Sequence, residues 1–407
     1  MKIRKIIIVF LSLYISSVTA QKLVTVSEAI ELALENNYGI KIISNNKKIA
    51  KNNASILNSG YLPTVTSSSG ATFNKDNIEA EFANGETTQL NGAKSSRYNA
   101  SVNLNYTLFD GLGRYYNYKR LKETYKLSEL QARETIENTI AQLYTVYYNV
   151  AQVSETVDVL KRTLTISKDR IKRANYQFEY GQGTMLDVLN AQVDVNNDSI
   201  NLINAKQQLV NTKRDLNVVL GNVITSEFNV ETSIDFKLDV DQNDLINKMK
   251  SNNVTLLQLD KNMMINKFII KANKSGYLPS IGLTGAYGWN KGNNNAASFV
   301  AVSTNTGLSG GLNLSWNLFD GGATATRVNN AKIDLENKAL EKESMIIDIE
   351  RNFNNAWDDY QNKLRIFQVQ ENNILTSKNN FTRTQEKYKL GQATSIEFRQ
   401  AQLNFIN

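Results

Sequence analysis

Residues 101–111 read SVNLNYTLFDG, and residues 311–321 repeat the pattern as GLNLSWNLFDG. Apolar side chains alternate with small or polar ones in both stretches. The apolar positions are Val102, Leu104, Tyr106 and Leu108 in the first and Leu312, Leu314, Trp316 and Leu318 in the second. Strict alternation predicts a β-strand with two unlike faces. The two stretches therefore predict one amphipathic strand in each copy, ending at the sequence Phe-Asp-Gly.

The duplication runs through the rest of the chain. Gly60-Tyr61-Leu62-Pro63 recurs as Gly276-Tyr277-Leu278-Pro279. Gly181-Gln182-Gly183-Thr184 recurs as Gly391-Gln392-Ala393-Thr394, again in the same order along the chain. Ordered matches of this kind indicate two structural repeats.

Each repeat is predicted to contain a helix, two strands and two further helices. The first helix is expected to run from Thr25 to near Gly60. The strands are expected at about 62–75, 97–109, 278–290 and 306–319, with polar loops around residues 74–96 and 290–306. Residues 21–221 would form the first repeat, residues 222–242 a linker, and residues 243–407 the second repeat. By comparison with the first copy, the last helix would extend to about residue 430. The chain is therefore expected either to be a fragment or to have a short final helix.

Long helices follow each predicted strand pair. Residues 114–178 contain no Pro or Gly, and their apolar residues recur in steps of four and three. Gly181 suits the left-handed position that ends a helix, and Thr184 with Asp187 is a capping pair for the returning helix. That helix carries two apolar stripes, which predict neighbours on two sides. One stripe contains Leu186, Leu189, Val193, Ile200, Ile203 and Val210; the other contains Val188, Val195, Leu202, Leu209, Leu216 and Val219.

The composition excludes several classes of site. The 407 residues include two Pro, no Cys and no His. Disulfides, thiol catalysis, histidine acid–base chemistry and zinc sites that need Cys or His are therefore excluded. No catalytic residue, metal site or cofactor is predicted. The formal net charge is +7, and no basic run indicates nucleic-acid binding.

The first 20 residues have the pattern of a secretory signal peptide. Lys2, Arg4 and Lys5 precede a short apolar stretch, and Val18-Thr19-Ala20 provides small residues before a cleavage site. The alternative interpretation is an N-terminal anchor helix.

Four amphipathic strands are too few for a membrane barrel, which needs at least eight. Open strand edges cannot face lipid, so the chain must oligomerise if the strands enter a membrane. Two copies would supply eight strands and three copies twelve. The expected fold is mostly α with membrane β: a helical tube with an outer-membrane barrel at one end.

Five motifs, two of them present in both copies, together resemble the TolC-like outer membrane efflux protein family, also called outer membrane factors. These are Val26-Ser27-Glu28-Ala29-Ile30, Leu34-Glu35-Asn36-Asn37, the paired Gly-Tyr-Leu-Pro, the paired Phe-Asp-Gly, and the segment from Tyr180 to Gln192. The resemblance implies a homotrimer with a twelve-stranded β-barrel in the outer membrane of a Gram-negative bacterium. It also implies a long periplasmic α-helical barrel, with residues 222–242 as its equatorial segment.

The function that the resemblance implies is a passive exit duct of a tripartite efflux or type I secretion system. The implied partners are a periplasmic adaptor, an inner-membrane pump of the RND, ABC or MFS type, and outer-membrane lipid. The alternative is a periplasmic coiled-coil scaffold or adhesin-like stalk without a pore. The alternating strands favour the exit duct, because their rows of apolar residues could face lipid and a scaffold does not need such rows.

The resemblance also assigns candidate functional residues. The adaptor-contact tips are Gly181, Gln182, Gly183 and Thr184, with Gly391, Gln392, Ala393 and Thr394 in the second copy. Glu397 and Gln400 occupy positions where family members often carry acidic aperture residues, and Gln400 departs from that pattern. The alternative is that the tips are only capped turns and that Glu397 is only part of a capping box.

Four aromatic residues of the predicted strands are candidates for the interfacial girdle of a membrane barrel: Tyr106, Tyr287, Trp289 and Trp316. The alternative is the core of a soluble β-sandwich.

Overall fold

The computed structural model describes residues 22–234 and 240–406. The expected signal peptide, residues 1–20, lies outside the described residues. The elements run in the following order: β1 (Lys22–Val24), α1 (Val26–Asn36), α2 (Tyr38–Asn53), β2 (Thr64–Glu81), β3 (Thr87–Phe109), α3 (Gly113–Glu179), α4 (Met185–Val219), β4 (Phe228–Val230), α5 (Gln242–Asn252), α6 (Val254–Asn273), β5 (Ser280–Asn293), β6 (Val302–Ser315), α7 (Ala323–Lys389) and α8 (Ser395–Ile406). Within this described part of the chain, no helix is long and apolar enough to cross a membrane.

The described residues form two compact units. One unit takes in the described parts of Met1–Ser44, Ala132–Asn253 and Asp348–Asn407. The other consists of Asn45–Gln131 and Val254–Ile347 and contains the larger sheet.

That sheet has the strand order β2-β3-β5-β6, and all its pairs are antiparallel. The two prolines mark where the first strand of each hairpin begins, because Pro63 precedes Thr64 and Pro279 precedes Ser280. Proline has no backbone N–H and cannot donate to the ladder. The duplicated Gly-Tyr-Leu-Pro segments therefore set the start of each hairpin.

The last strand ends earlier than the alternation predicts. Ser280 pairs with Ser315, and β6 stops there, so Trp316 and Leu318 lie beyond the strand although it was expected over about 306–319. Among the described strands, β6 has β5 alone as its neighbour, and β5 begins at Ser280. The interior strand β3 continues to Phe109 because Ile281 of β5 pairs with it.

The first hairpin is longer than the alternation predicts. Residues 74–96, expected as a polar loop, mostly belong to β2 and β3, which pair as far as Glu81 and Thr87. Backbone hydrogen bonds hold these ends together, whereas polar side chains on both faces give no alternating signal.

The first helix of each copy is interrupted at the sequence Asn-Asn, which occurs at residues 36–37 and again at residues 252–253. The single helix expected from Thr25 to near Gly60 is divided at Asn37 into α1 and α2. The Asn37 Nδ2 donates to the carbonyl of Val219 at 2.9 Å, and its Oδ1 accepts the N–H of Gly39 at 2.8 Å. Asn253 occupies the corresponding position between α5 and α6.

The main core of the first unit surrounds Tyr147, which is 1% exposed. Its hydroxyl donates to the carbonyl of Val24 at 2.8 Å and accepts the N–H of Glu231 at 3.0 Å. These contacts hold α3 against the two parallel strands β1 and β4. Burial raises the pKa of the Tyr147 hydroxyl, which keeps it protonated as the donor that Val24 needs.

Candidate functional site

The first helical tip closes through a left-handed glycine. Gly181 has a φ of 73°. Its N–H donates to the Phe178 carbonyl at 3.0 Å, and the N–H of Gln182 donates to the Gln177 carbonyl at 2.7 Å. This pair of bonds is the Schellman arrangement, which satisfies carbonyls at the end of α3 and reverses the chain. The predicted left-handed position of Gly181 is confirmed.

The returning helix α4 begins with a reciprocal cap. Asp187 N–H donates to the Thr184 Oγ1 at 3.3 Å, and the Asp187 carboxylate accepts the Thr184 N–H at 3.0 Å. The hydrogen bond from the Thr184 hydroxyl, followed by the one from its backbone, holds the pKa of Asp187 below its usual value. The predicted capping pair is confirmed.

The second tip repeats this geometry. Gly391 has a φ of 74°, and its N–H donates to the Tyr388 carbonyl at 3.2 Å. The N–H of Gln392 donates to the Lys387 carbonyl at 2.8 Å. Ala393 stands where the first copy has Gly183, so this position of the turn accepts a methyl group.

Glu397 belongs to the cap of α8. Its carboxylate accepts the Thr394 N–H at 2.8 Å and the Thr394 hydroxyl at 3.0 Å. These bonds hold the pKa of Glu397 below its usual value, the backbone bond contributing most. The side chain is exposed and the capping role is confirmed, whereas the aperture role stays a prediction. Gln400 is also exposed and donates to Asn404 at 2.8 Å.

The two tips are joined near their ends. The Arg173 Nη1 of α3 donates to the carbonyl of Lys389, the last residue of α7, at 3.1 Å. The Arg399 guanidinium of α8 reaches Asp198 of α4 at 2.8 and 2.9 Å. The structure therefore brings the two sets of predicted adaptor-contact residues to one end of the first unit.

A buried polar cluster beneath the tips is absent from the sequence-based site prediction. The Ser167 hydroxyl, which is fully buried, donates to the Asp198 carboxylate at 2.5 Å. Arg170 pairs with Asp194 in the same region. Ser167 occupies a position of α3 where the apolar heptad series would have an apolar residue. This interruption is the sequence signal that indicates a polar contact between α3 and α4.

The register of the sheet aligns the apolar residues of its strands on one face. Leu283 lies opposite both Tyr106 and Leu312, and Tyr287 lies opposite Val102 and Leu308. The other face carries Asn103, Asn105, Thr284, Ser309 and Asn313. The alternation predicted for single strands is therefore continuous across neighbouring strands.

Three of the four candidate girdle residues lie in strands of this sheet. Tyr106 of β3 pairs with Leu283 of β5. Leu283 lies six residues before Trp289 on β5, and Tyr287 lies between these two residues. Six residues of strand span about 20 Å, comparable with the apolar band of about 25 Å in membrane barrels. Trp316 follows β6, and its Nε1 donates to the Tyr277 carbonyl at 3.2 Å.

The chain matches the family model described as outer membrane efflux protein over residues 29–222 and 245–407. The protein belongs to the outer membrane efflux protein family. Membership confirms the resemblance stated from the sequence, the outer-membrane location and the efflux function.

Two relatives illustrate how far the members of this family diverge. Outer membrane efflux protein BepC of Brucella suis biovar 1 is 20% identical over 389 residues, which cover 94% of this chain and 80% of that protein. Outer membrane protein TolC of Salmonella enteritidis is 19% identical over 317 residues, 75% of this chain and 63% of that protein.

A solved structure of an outer membrane channel shows the same fold. The CmeC outer membrane channel of Campylobacter jejuni superposes with a TM-score of 0.74 and 17% sequence identity, covering 94% of this chain and 80% of that one. The expected fold class, helical with membrane strands, is confirmed by this likeness.

Proposed function

We propose that three copies of this outer membrane efflux protein form a passive exit duct across the outer membrane. The observation that carries the proposal is the four-stranded sheet, which has one apolar face, one polar face and open edges at β2 and β6. Lipid cannot satisfy open strand edges, so these edges must pair with other copies. Three copies supply a twelve-stranded barrel whose polar faces line the lumen.

The helices support the same assembly. On α4 the stripe that contains Val188, Leu202 and Leu216 is buried within the chain. The second stripe stays exposed, from 40% at Val210 to 65% at Leu186. An apolar stripe of this length indicates a neighbouring helix. In the trimer, that neighbour would be a helix of the next subunit in a closed periplasmic barrel.

The repeat division belongs to the same proposal. Residues 21–221 and 243–407 would be the two structural repeats, with residues 222–242 as the equatorial segment between them. Strand β4 lies in this segment and pairs in parallel with β1. This pairing supports an equatorial segment that forms a small sheet of its own beside the helices.

The tips would meet a periplasmic adaptor that links the duct to an inner-membrane pump of the RND, ABC or MFS type. Gly181 to Thr184 and Gly391 to Thr394 are the proposed contact residues, because both turns are largely exposed and lie at one end of the unit. The chain itself would perform no catalysis, and the pump would supply the energy for export.

Glu397 would contribute one carboxylate from each subunit to the aperture. Replacing it with Ala and recording single channels in a planar bilayer tests this role. We expect lower cation selectivity in Glu397→Ala. Asp187→Ala is the matched control, since Asp187 makes the same kind of cap at the other tip. Unchanged current and selectivity in Glu397→Ala would refute the aperture role.

The duct itself is tested with the purified full-length protein. We expect that detergent is needed for extraction, that native mass spectrometry gives a trimer, and that the trimer conducts ions in a planar bilayer. The competing non-pore scaffold predicts a protein that is released without detergent and gives no conductance. That pair of results would overturn the proposal.

A further inference from the structure

A cavity of about 240 Å³ lies beneath the second tip, between α3 and the ends of α7 and α8. Its lining includes Arg170 and Arg173 from α3, Tyr388 and Lys389 from α7, and Phe398 from α8. One water molecule occupies about 30 Å³ in the liquid. The cavity therefore has room for a small polyatomic ligand.

Two side chains of this cavity carry buried hydrogen-bond donors without partners. The Arg170 side chain is 1% exposed, and its Nη2 is paired with Asp194. Its Nε and Nη1 have no hydrogen-bond partner within the described chain, and neither has the hydroxyl of Tyr388, a residue 6% exposed. Buried polar groups are nearly always satisfied, so such a cluster requires a partner.

The charges around the cavity favour an anion. Three cations, Arg170, Arg173 and Lys389, line it together with one carboxylate, Asp169. Lys389 also pairs with Glu386 at 2.8 Å, on the exposed side. A guanidinium with free N–H groups suits an oxyanion, whose several lone pairs can accept hydrogen bonds from all of them.

The surrounding contacts hold these donors in place. The Tyr388 ring stacks on Phe398 with centroids 4.9 Å apart, and the Arg173 guanidinium lies 5.8 Å from the centre of the Tyr388 ring. Arg173 is further fixed by its bond to the Lys389 carbonyl. The donors are therefore preorganised, which lowers the entropy cost of binding a ligand.

We propose that this cavity binds one small inorganic oxyanion of the phosphate or sulfate type per subunit, held by Arg170, Arg173 and Tyr388. A bound oxyanion would tie α3 of the first repeat to α7 and α8 of the second. This site is additional to the export duct and does not depend on it.

Calorimetric titration of the detergent-solubilised protein with sodium phosphate or sodium sulfate tests the site, with NaCl holding the ionic strength constant. We expect saturable binding with a stoichiometry of one per subunit. Tyr388→Phe removes only the unpaired hydroxyl, and we expect it to weaken binding about tenfold, the value of one hydrogen bond to a charged group. Arg173→Gln should weaken binding at least as much.

Tyr176→Phe is the matched control, because Tyr176 lies on α3, the helix of Arg170 and Arg173, and is 61% exposed outside the cavity. It should bind the anion as the unmodified protein does. The unpaired hydroxyl contributes no hydrogen bond to the fold, so Tyr388→Phe should remain folded. Absence of saturable binding by the unmodified protein, or equal affinity in Tyr388→Phe, would overturn the proposal and would mean that water alone satisfies these donors.

Discussion

Arg399 of α8 and Asp198 of α4 form a two-point ion pair. The Arg399 Nη2 lies 2.8 Å from Asp198 Oδ1, and its Nη1 lies 2.9 Å from Asp198 Oδ2. The Asp198 side chain is 4% exposed and that of Arg399 is 15% exposed. The pair thus joins α8 to α4 in a region from which water is largely excluded.

Removal of one partner of this pair should destabilise the protein strongly. Arg399→Met leaves the buried Asp198 carboxylate without its cation, and we expect a loss of about 3–5 kcal/mol. Thermal or denaturant unfolding of the solubilised protein measures it. Lys161→Met is the control, because the exposed Lys161–Asp158 pair should contribute at most about 1 kcal/mol. Equal losses in the two variants would contradict the importance of burial.

The hydroxyl of Tyr147 should matter more than that of its neighbour Tyr144. Tyr147→Phe leaves the Val24 carbonyl without its donor and the Glu231 N–H without its acceptor. We expect a loss of about 1–3 kcal/mol in unfolding free energy. Tyr144 is 39% exposed, and Tyr144→Phe should change stability by less than about 0.5 kcal/mol. An unchanged unfolding free energy in Tyr147→Phe would show that this hydroxyl does not stabilise the core.

The left-handed glycine of the first tip should resist substitution. Gly181→Ala forces a Cβ into a φ of 73°, which costs about 1–2 kcal/mol locally although no other atom lies within 4 Å of the added Cβ. Gly183→Ala should be milder, since Ala393 occupies the equivalent place in the second tip. The new Cβ would lie 3.1 Å from the Gln177 Cβ and 3.5 Å from backbone atoms of Gln177 and Phe178, which requires only a shift of a few tenths of an ångström. Hydrogen exchange of residues 177–187 measures both effects, and faster exchange in Gly183→Ala than in Gly181→Ala would refute the prediction.

The cap of α8 should depend on pH in a defined direction. The folded-state pKa of Glu397 lies below its unfolded value because Thr394 donates to its carboxylate. The stabilisation is therefore present above the unfolded pKa and is lost as the pH falls through the lowered folded pKa. The protection factors of amides in the first turn of α8, which correct the exchange rates for the intrinsic effect of pH, should fall over that acidic range. Glu397→Ala should lack this fall; an identical pH profile of the protection factors in this variant would contradict the assignment.

Opposite faces of β6 should respond differently to a charge. Leu312→Lys places a cation on the apolar face, where a lysine at the bilayer midplane costs about 2–4 kcal/mol. Asn313→Lys places the same charge on the polar face. We expect poor outer-membrane assembly for the first and normal assembly with increased anion selectivity for the second. Fractionation and single-channel recording measure these outcomes, and normal assembly of Leu312→Lys would mean that this face does not meet lipid.

The local patterns of the sequence determined much of this fold. Alternation located the strands, the absence of Pro and Gly located α3, and Gly181 and Thr184 located a turn. Each of these signals depends on contacts within a few residues, and such contacts are encoded by residue type and spacing. The duplication then extended the turn geometry of the first tip to Gly391 and Thr394.

Tertiary structure decided the features that depend on distant partners. Most of residues 74–96 pair as strands because their backbones meet, not because their side chains alternate. The break at Asn37 depends on the carbonyl of Val219, and the partner of Arg399 is Asp198, 201 residues away. A helix sequence shows which face is apolar, but it does not show which helix will cover that face or which buried charge it will meet. Those choices are made only when the helices pack, because the energy of a buried ion pair depends on the geometry of both partners.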